Sequence, residues 1–282
     1  MVDLMEGTAL SGCGRGRFQL CVQSHIPNAR DWRSCPDGLS TPMKVRDYFD
    51  SVARDFDDLA WDVGVAPWLD WAWRVVEKEV QHASGCLIVD LGCGTGRTIL
   101  NLLRFTRDAR FLGIDFSREM ICKAKEKNYA GAAVEFRVLR IDQLNLPPCS
   151  VGHFISFGTF HHIRNKVRVL QNLSRMLQPG GKFVNGDLFR VSGIYLSELQ
   201  KLRRLNPEAT AENDRKRREL QWVYDRDLSH PREFHTDPYQ FKQLLEDAGI
   251  GAARVHVSLQ PGFALVVGRK TANDETGVDQ ST

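Results

Sequence analysis

From Cys86 onward the chain alternates short apolar runs with amphipathic segments, and this rhythm restricts its fold more than any other feature. Cys86–Leu91, Arg110–Asp115, Val134–Leu139, His153–Phe157 and Lys182–Asp187 have strand length and β-branched or aromatic content. Helical faces separate most of them: Ile99, Leu102 and Leu103 make one, and Val167, Leu170, Leu173 and Leu177 another. Strands alternating with helices predict a doubly wound α/β fold with a mainly parallel sheet. A later helix is signalled by Asp237 as N-cap, Pro238 at the first helical position, Phe241, Leu244, Leu245 and Ala248 on one face, and Gly249 as stop. After it, Ala253–Leu259 and Phe263–Arg269 flank the turn sequence Gln260-Pro261-Gly262, so the sheet is expected to end in an antiparallel hairpin.

The flanks differ from this body. Residues 1–42 show no helical or strand period and are expected to form a mobile arm, while 271–282 read as a disordered polar tail. The folded body is therefore placed at 43–270. It carries N-terminal helices within 43–84, near 45–59 and 68–82, the second bearing Trp68, Trp71 and Trp73 as packing residues. A helical insert occupies 190–235, with Tyr195, Leu199 and Leu202 and then Leu220, Val223 and Tyr224 at helical spacing. Arg203, Arg204, Arg215, Lys216, Arg217 and Arg218 make the insert basic, but Glu208, Glu212, Asp214 and Glu219 interleave as pairing partners.

With 42% hydrophobic and 26% charged residues, the chain falls outside the disordered, collagenous and disulfide-scaffold classes. The longest uncharged stretch, Gln143 to Ile163, contains two prolines and three histidines and does not read as a bilayer span. Asp3 and Glu6 interrupt any secretory signal, so the seven cysteines are expected as reduced thiols in a cytoplasmic protein. Cys13, Cys21 and Cys35 lack zinc-site spacing, and no metal site is expected. A net charge of +3 is too small to argue by itself for a nucleic-acid or anionic-membrane partner.

The segment Val89-Asp90-Leu91-Gly92-Cys93-Gly94-Thr95-Gly96-Arg97 falls where the first strand turns into a helix. A dinucleotide site needs Gly-x-Gly-x-x-Gly, yet the third glycine would fall on Arg97 or on Ile99, and both frames fail. No Lys-Ser or Lys-Thr follows, which excludes a P-loop. What remains is an acid followed by glycines at alternate positions, with Asp115 ending the next strand, placed to accept both hydroxyls of a ribose. The expected ligand is a nucleoside without a pyrophosphate.

This run resembles motif I of the class I S-adenosylmethionine-dependent methyltransferases. Phe111-Leu112-Gly113-Ile114-Asp115-Phe116-Ser117-Arg118-Glu119-Met120 is similar to the family's ribose-binding strand and following helix, and Phe160-His161-His162-Ile163 and Leu177-Gln178-Pro179-Gly180-Gly181-Lys182-Phe183 to its fourth and fifth strand regions. The resemblance implies a Rossmann-like, seven-stranded sheet and S-adenosyl-L-methionine as cofactor. It implies that the turn of Gly92, Cys93, Gly94 and Gly96 contacts the methionine part, that Asp90 holds the amino group or the loop, and that Asp115, with Phe116 beside it, binds the ribose. The family's Gly-Asp pair for adenine falls on Leu139 and Arg140, so Asp142, two residues later, stands in if the loop is displaced. The aromatic-Asp pair that opens the family's fourth strand is Val151 and Gly152 here.

Ligands of such sheets lie beyond the carboxyl ends of the strands, where strand order reverses. Methyl transfer from a sulfonium needs alignment and, for a protonated acceptor atom, a base. His161, His162 and Asp187 are the candidate bases there, with His161 and Asp187 taken as the catalytic residues. The Asn/Asp-Pro-Pro-aromatic pattern of amino methyltransferases is absent, since Leu146-Pro147-Pro148-Cys149 has neither flanking group. The implied activity is methyl transfer to a small organic acceptor at oxygen, nitrogen or carbon. The alternatives are a tRNA-modifying methyl- or carboxymethyl-transfer relative and a catalytically inactive cofactor-binding regulatory or assembly protein.

Overall fold

The structure is a computed structural model that describes residues 45–54, 56–57, 66–80, 85–106, 108–219 and 234–271. All belong to the unit Thr41–Thr282. The expected arm 1–42, the tail beyond Thr271 and the apolar face of Leu220, Val223 and Tyr224 lie outside the described residues.

Two helices, α1 (Val45–Val52) and α2 (Ala66–Val80), precede the sheet. Then follow β1 (Leu87–Leu91), α3 (Arg97–Leu102), β2 (Arg110–Asp115), α4 (Arg118–Lys125), β3 (Val134–Val138), β4 (Val151–Phe157), α5 (Lys166–Met176) and β5 (Leu177–Leu188). The chain continues through α6 (Gly193–Leu205), α7 (Pro207–Glu219), α8 (Pro238–Asp247), β6 (Arg254–Val257) and β7 (Phe263–Arg269). The seven strands lie in the order β3-β2-β1-β4-β5-β7-β6. Strands β1 to β5 pair in parallel, and β7 runs antiparallel to both β5 and β6. This is the expected α/β sheet with its terminal hairpin, and strand order reverses between β1 and β4, where a crevice opens in such sheets.

Each sheet face carries its own core. Val89, Leu112, Phe154 and Phe183 belong to one, covered by Leu170 and Leu173 of α5 and Phe241 and Leu245 of α8. Ile88, Phe111, Ile155 and Val184 belong to the other, covered by Ala72, Val76 and Val80 of α2 and Ile99 and Leu102 of α3. Trp73 packs on Phe157 with ring centroids 4.9 Å apart, and Trp71 lies against the same core, as packing residues should.

Three local readings change. Val167 is exposed: the Asn165 side chain accepts the Arg168 N–H and starts α5 at Lys166, which turns the buried stripe to Val169, Leu170, Leu173 and Met176. Leu177 is buried but extended, so β5 begins there, and its register with β4 jumps from Val151↔Leu177 to His153↔Lys182 around Pro179-Gly180-Gly181. The second described helix of the insert is α7, a segment with no apolar period. It is held by polar contacts instead: Arg203 pairs with Asp214, and the buried Asn213 amide donates to Leu259 O and Gln260 Oε1, both at 3.4 Å.

One aromatic cluster ties this core to the end of β4. Phe160 stands edge-on to Phe183 at 5.3 Å and to Phe241 at 5.5 Å, and Phe241 also meets Phe189 at 5.8 Å. Asp237 caps α8 by accepting from Tyr239 N and Gln240 N in a capping box, which sets the angle at which Phe241 enters. Phe241→Ala is expected to cost about 3–5 kcal/mol of stability, because the cavity is walled by three rings that cannot collapse together. Urea unfolding followed by circular dichroism measures it.

Candidate active site

The turn after β1 is fastened to the end of β2. Ile114 O accepts the N–H groups of Gly92 and Cys93 at 2.8 and 2.9 Å. The Asp115 carboxylate accepts Gly94 N–H at 3.0 Å through Oδ2 and Ser117 N–H at 2.8 Å through Oδ1. Ser117 in turn caps α4, its hydroxyl accepting Met120 N–H at 3.1 Å. Burial pushes Asp115 up to about 6, against the N–H groups of Ser117, Gly94 and Phe116 that favour the charged form. Gly92, Gly94 and Gly96 all take the left-handed backbone that glycine alone adopts without strain. At Gly92 a side chain would also strike Thr159, whereas at Gly94 the nearest neighbour of a Cβ is the Phe56 ring at 3.9 Å. The requirement at Gly94 is thus set by its backbone angle and not by protein crowding. Cys93 is buried in this turn, and burial beside Asp90 and Asp115 pushes its thiol well up, which leaves it un-ionised.

Asp90, 1% exposed, lies at the last turn of β1 before the glycines. Among the described residues neither of its oxygens has a hydrogen-bond partner. Burial, with the charge of Asp115 added, raises its proton affinity well above the ordinary carboxylate range. A buried acceptor without a donor is costly, and it fits a ligand that brings a cationic amino group.

The N-terminal segment covers this turn. Thr95 Oγ1 donates to Asp57 Oδ1 at 2.6 Å, Lys127 Nζ pairs with Asp57 Oδ2 at 2.6 Å, and Arg97 stands 3.8 Å away. Burial opposes ionisation of Asp57, but the hydrogen bonds from Lys127 and Thr95 and the charges of Lys127 and Arg97 hold it below the usual carboxylate range. Ser117 Oγ donates to Asp50 on α1 at 2.5 Å. Phe49 of α1 meets Phe116 at 6.0 Å and His162 at 5.5 Å, so one ring touches both the residue that follows β2 and the turn that follows β4.

At the ends of β4 and β5 the two candidate catalytic residues meet. His161 Nδ1 lies 2.5 Å from Asp187 Oδ1, and His161 N–H donates to Asp187 Oδ2 at 3.1 Å. Leu188 N–H donates to the same Oδ1 at 2.8 Å. His161 is 5% exposed and Asp187 1%. A carboxylate against Nδ1 selects the tautomer with its proton there, which leaves Nε2 as the atom that takes up a proton. The His162 ring centroid is 3.9 Å from that of His161.

Asp90, Gly92, Cys93, Gly94, Gly96, Asp115 and Phe116 are thus brought together. Asp142 sits in the turn Ile141–Gln143, which follows β3, exposed and held by the Arg140 guanidinium at 2.9 and 2.8 Å. Arg140 occupies the position where the family's adenine-binding acid was sought, and it captures the nearby acid. Sequence reasoning missed Phe49, Asp57, Lys127 and His235. The long-range partners of these residues lie 32 to 113 residues away in the chain, and no local period marks them.

Asp57→Ala removes the centre of the strap. Hydrogen exchange over 45–57 is expected to quicken about three- to tenfold, which corresponds to about 1 kcal/mol for a partly exposed ion-pair network. Exchange within β1 should stay as it was. Mass spectrometry of peptic fragments reads both.

Residues 88–181 match the family described as a methyltransferase domain. A Bos taurus protein named "Probable tRNA methyltransferase 9B" is 30% identical over 146 residues, covering 50% of this chain and 28% of its own. A demethylmenaquinone methyltransferase of Symbiobacterium thermophilum is 26% identical over 144 residues, covering 50% of this chain and 57% of its own. The chain therefore spans less than two thirds of the length of either relative. The magnesium protoporphyrin IX methyltransferase of Synechocystis PCC 6803, solved with bound SAH, superposes with a TM-score of 0.56 at 18% identity, over 80% of this chain and 98% of that one. That likeness bears on the fold alone. Sheet order, glycine turn, the acid ending β2 and these matches agree: residues 88–181 match a methyltransferase domain, set in a sheet of the kind that class I S-adenosylmethionine-dependent methyltransferases share.

Proposed function

We propose that the protein transfers a methyl group from S-adenosylmethionine to a small organic acceptor, with His161 as the base and Asp187 as its orienting partner. The observation that carries this reading is the buried His161–Asp187 pair at the carboxyl ends of β4 and β5, beside a glycine turn and two buried acids. The cofactor supplies a methyl group already activated on a sulfonium. Asp90 would hold its amino group, Asp115 the ribose hydroxyls and Gly92–Gly96 the approach to the methionine part. His161 Nε2 takes the proton of an oxygen, nitrogen or activated carbon nucleophile. Asp187 keeps the ring in the required tautomer and stabilises the imidazolium that results.

The ion pairs of the insert support a small acceptor. Arg203 is matched to Asp214, and Arg215 to Glu212 at 2.8 Å, so part of the basic charge is already neutralised within the insert. A second reading, tRNA modification, is favoured by the relative from Bos taurus. The four described cysteines, Cys86, Cys93, Cys122 and Cys149, are free thiols, which supports a cytoplasmic location. No described helix is long and apolar enough to cross a membrane.

Calorimetry with S-adenosylmethionine and S-adenosylhomocysteine tests the cofactor half. Asp115→Ala should weaken binding by about 1.5–3 kcal/mol through loss of charge-assisted hydrogen bonds. Unaltered affinity would remove Asp115 from the site. In the native protein affinity should rise between pH 5 and 7.5, because Asp115 holds a proton below about 6 and a neutral carboxyl is the weaker acceptor. Stability of the free protein runs the other way for this group. The folded carboxyl keeps its proton where an unfolded one, at 3.8, has lost it, so its contribution grows as pH falls from about 6 toward 4.

Methyl-labelled cofactor incubated with a fractionated cell extract tests the acceptor half. His161→Ala should lower transfer about 10²- to 10⁴-fold with cofactor affinity unchanged. Label found in tRNA instead of the small-molecule fraction would promote the second reading.

A further inference from the structure

The segment Phe234–Thr236 is hydrogen-bonded to His161 and to the residues around it. Phe234 N–H donates to His161 O at 2.6 Å, and Lys166 Nζ donates to Phe234 O at 2.6 Å and to Ile163 O at 2.7 Å. Arg190 N–H donates to Thr236 O at 2.9 Å. Between these anchors, His235 places its ring parallel to that of His161, at 5° and 5.3 Å between centroids, with Nδ1 3.0 Å from Leu188 O. A carbonyl only accepts, so Nδ1 of His235 carries a proton and its ring orientation is set by that bond.

We propose that His235 is a positioning residue of the acceptor site, holding the imidazole of His161 face-on while Asp187 holds it edge-on, with Phe234–Thr236 as the wall that keeps the pair dry. This rests on the reading of His161 as the base. A hydrogen bond in the ring plane and a parallel ring at 5.3 Å restrain the imidazole from two directions, with His162 beside it at 3.9 Å, and Nε2 is then aimed by the fold instead of by the substrate.

The arrangement has an electrostatic consequence. The ionisable groups around His161 are Asp187 on β5, His162 in its own turn, His235 in the wall, and Lys166 on α5, whose charge also acts on Asp187. Asp187 favours the imidazolium, whereas a proton on His235 at 5.3 Å and exclusion of water by the wall disfavour it, and His162 stands nearer still at 3.9 Å. Removing His235 takes away its share of that opposition, so the proton affinity of His161 should rise.

The test uses the full chain labelled with ¹⁵N-histidine, following each imidazole by NMR from pH 5 to 9, alongside calorimetry with S-adenosylmethionine. His235→Ala should raise the midpoint of His161 by about half to one pH unit. It should also let the ring lose its fixed tautomer signature, with cofactor affinity within twofold of native. His235→Phe keeps a ring on the same face, and should preserve the tautomer signature with a smaller rise. A midpoint and tautomer of His161 unmoved by both substitutions would overturn the proposal. If His235→Ala fails to fold, His235→Phe decides: an unmoved midpoint again overturns it. The underlying reading fails on a different result, unimpaired methyl transfer by His161→Ala, whatever the titration shows.

Discussion

The site depends on the carboxylate of Asp115 and on what it joins. Its two oxygens take N–H groups from the glycine turn after β1 and from the start of α4, adding to the backbone bonds that already tie that turn to Ile114. Charge-assisted bonds of this kind contribute about 1.5–3 kcal/mol each. Burial nonetheless wins: a carboxyl raised from 3.8 to about 6 is still short of charge stabilisation by about 3 kcal/mol. Unmet demand of that size makes the position a receptor for further donors. Asp90, buried within the same turn and without any donor among the described residues, repeats the condition more severely. Asp90 is not a sensible component of a core built only for stability, because replacement by an apolar residue would relieve the cost of its unpartnered oxygens.

Much of this could be read along the chain because it is local. Strand and helix alternation, the glycines at alternate positions and the acid that ends β2 all act within about 25 residues of one another, and β1, β2 and the terminal hairpin fall where periodicity places them. His161 and Asp187 were legible for a related reason: one lies in the turn after β4 and the other near the end of β5, and neighbouring parallel strands bring their carboxyl ends together. The misplacements have physical causes too. A helix held by a buried asparagine and an ion pair, as α7 is, has no apolar stripe to announce it. The strap and the wall were illegible because Asp57, Phe49 and His235 act through partners that only the tertiary fold supplies. In the sequence each looks like a polar or aromatic residue in a connection.

Strand parity separates the two halves of the chemistry. Side chains alternate across a sheet with period two, so Asp90 shares a face with Ile88, and Asp115 with Phe111, on the side covered by α2 and α3. Asp187 shares a face with Phe183, on the opposite side, under α5 and α8. The acids suited to a cofactor and the base suited to an acceptor therefore lie on opposite faces and can meet only over the carboxyl edge, at the β1–β4 boundary where the order of strands reverses. That boundary is where Thr159 crowds Gly92 and reaches its carbonyl at 3.5 Å, leaving no room for a side chain on the first glycine. It is also where Phe49 spans Phe116 and His162.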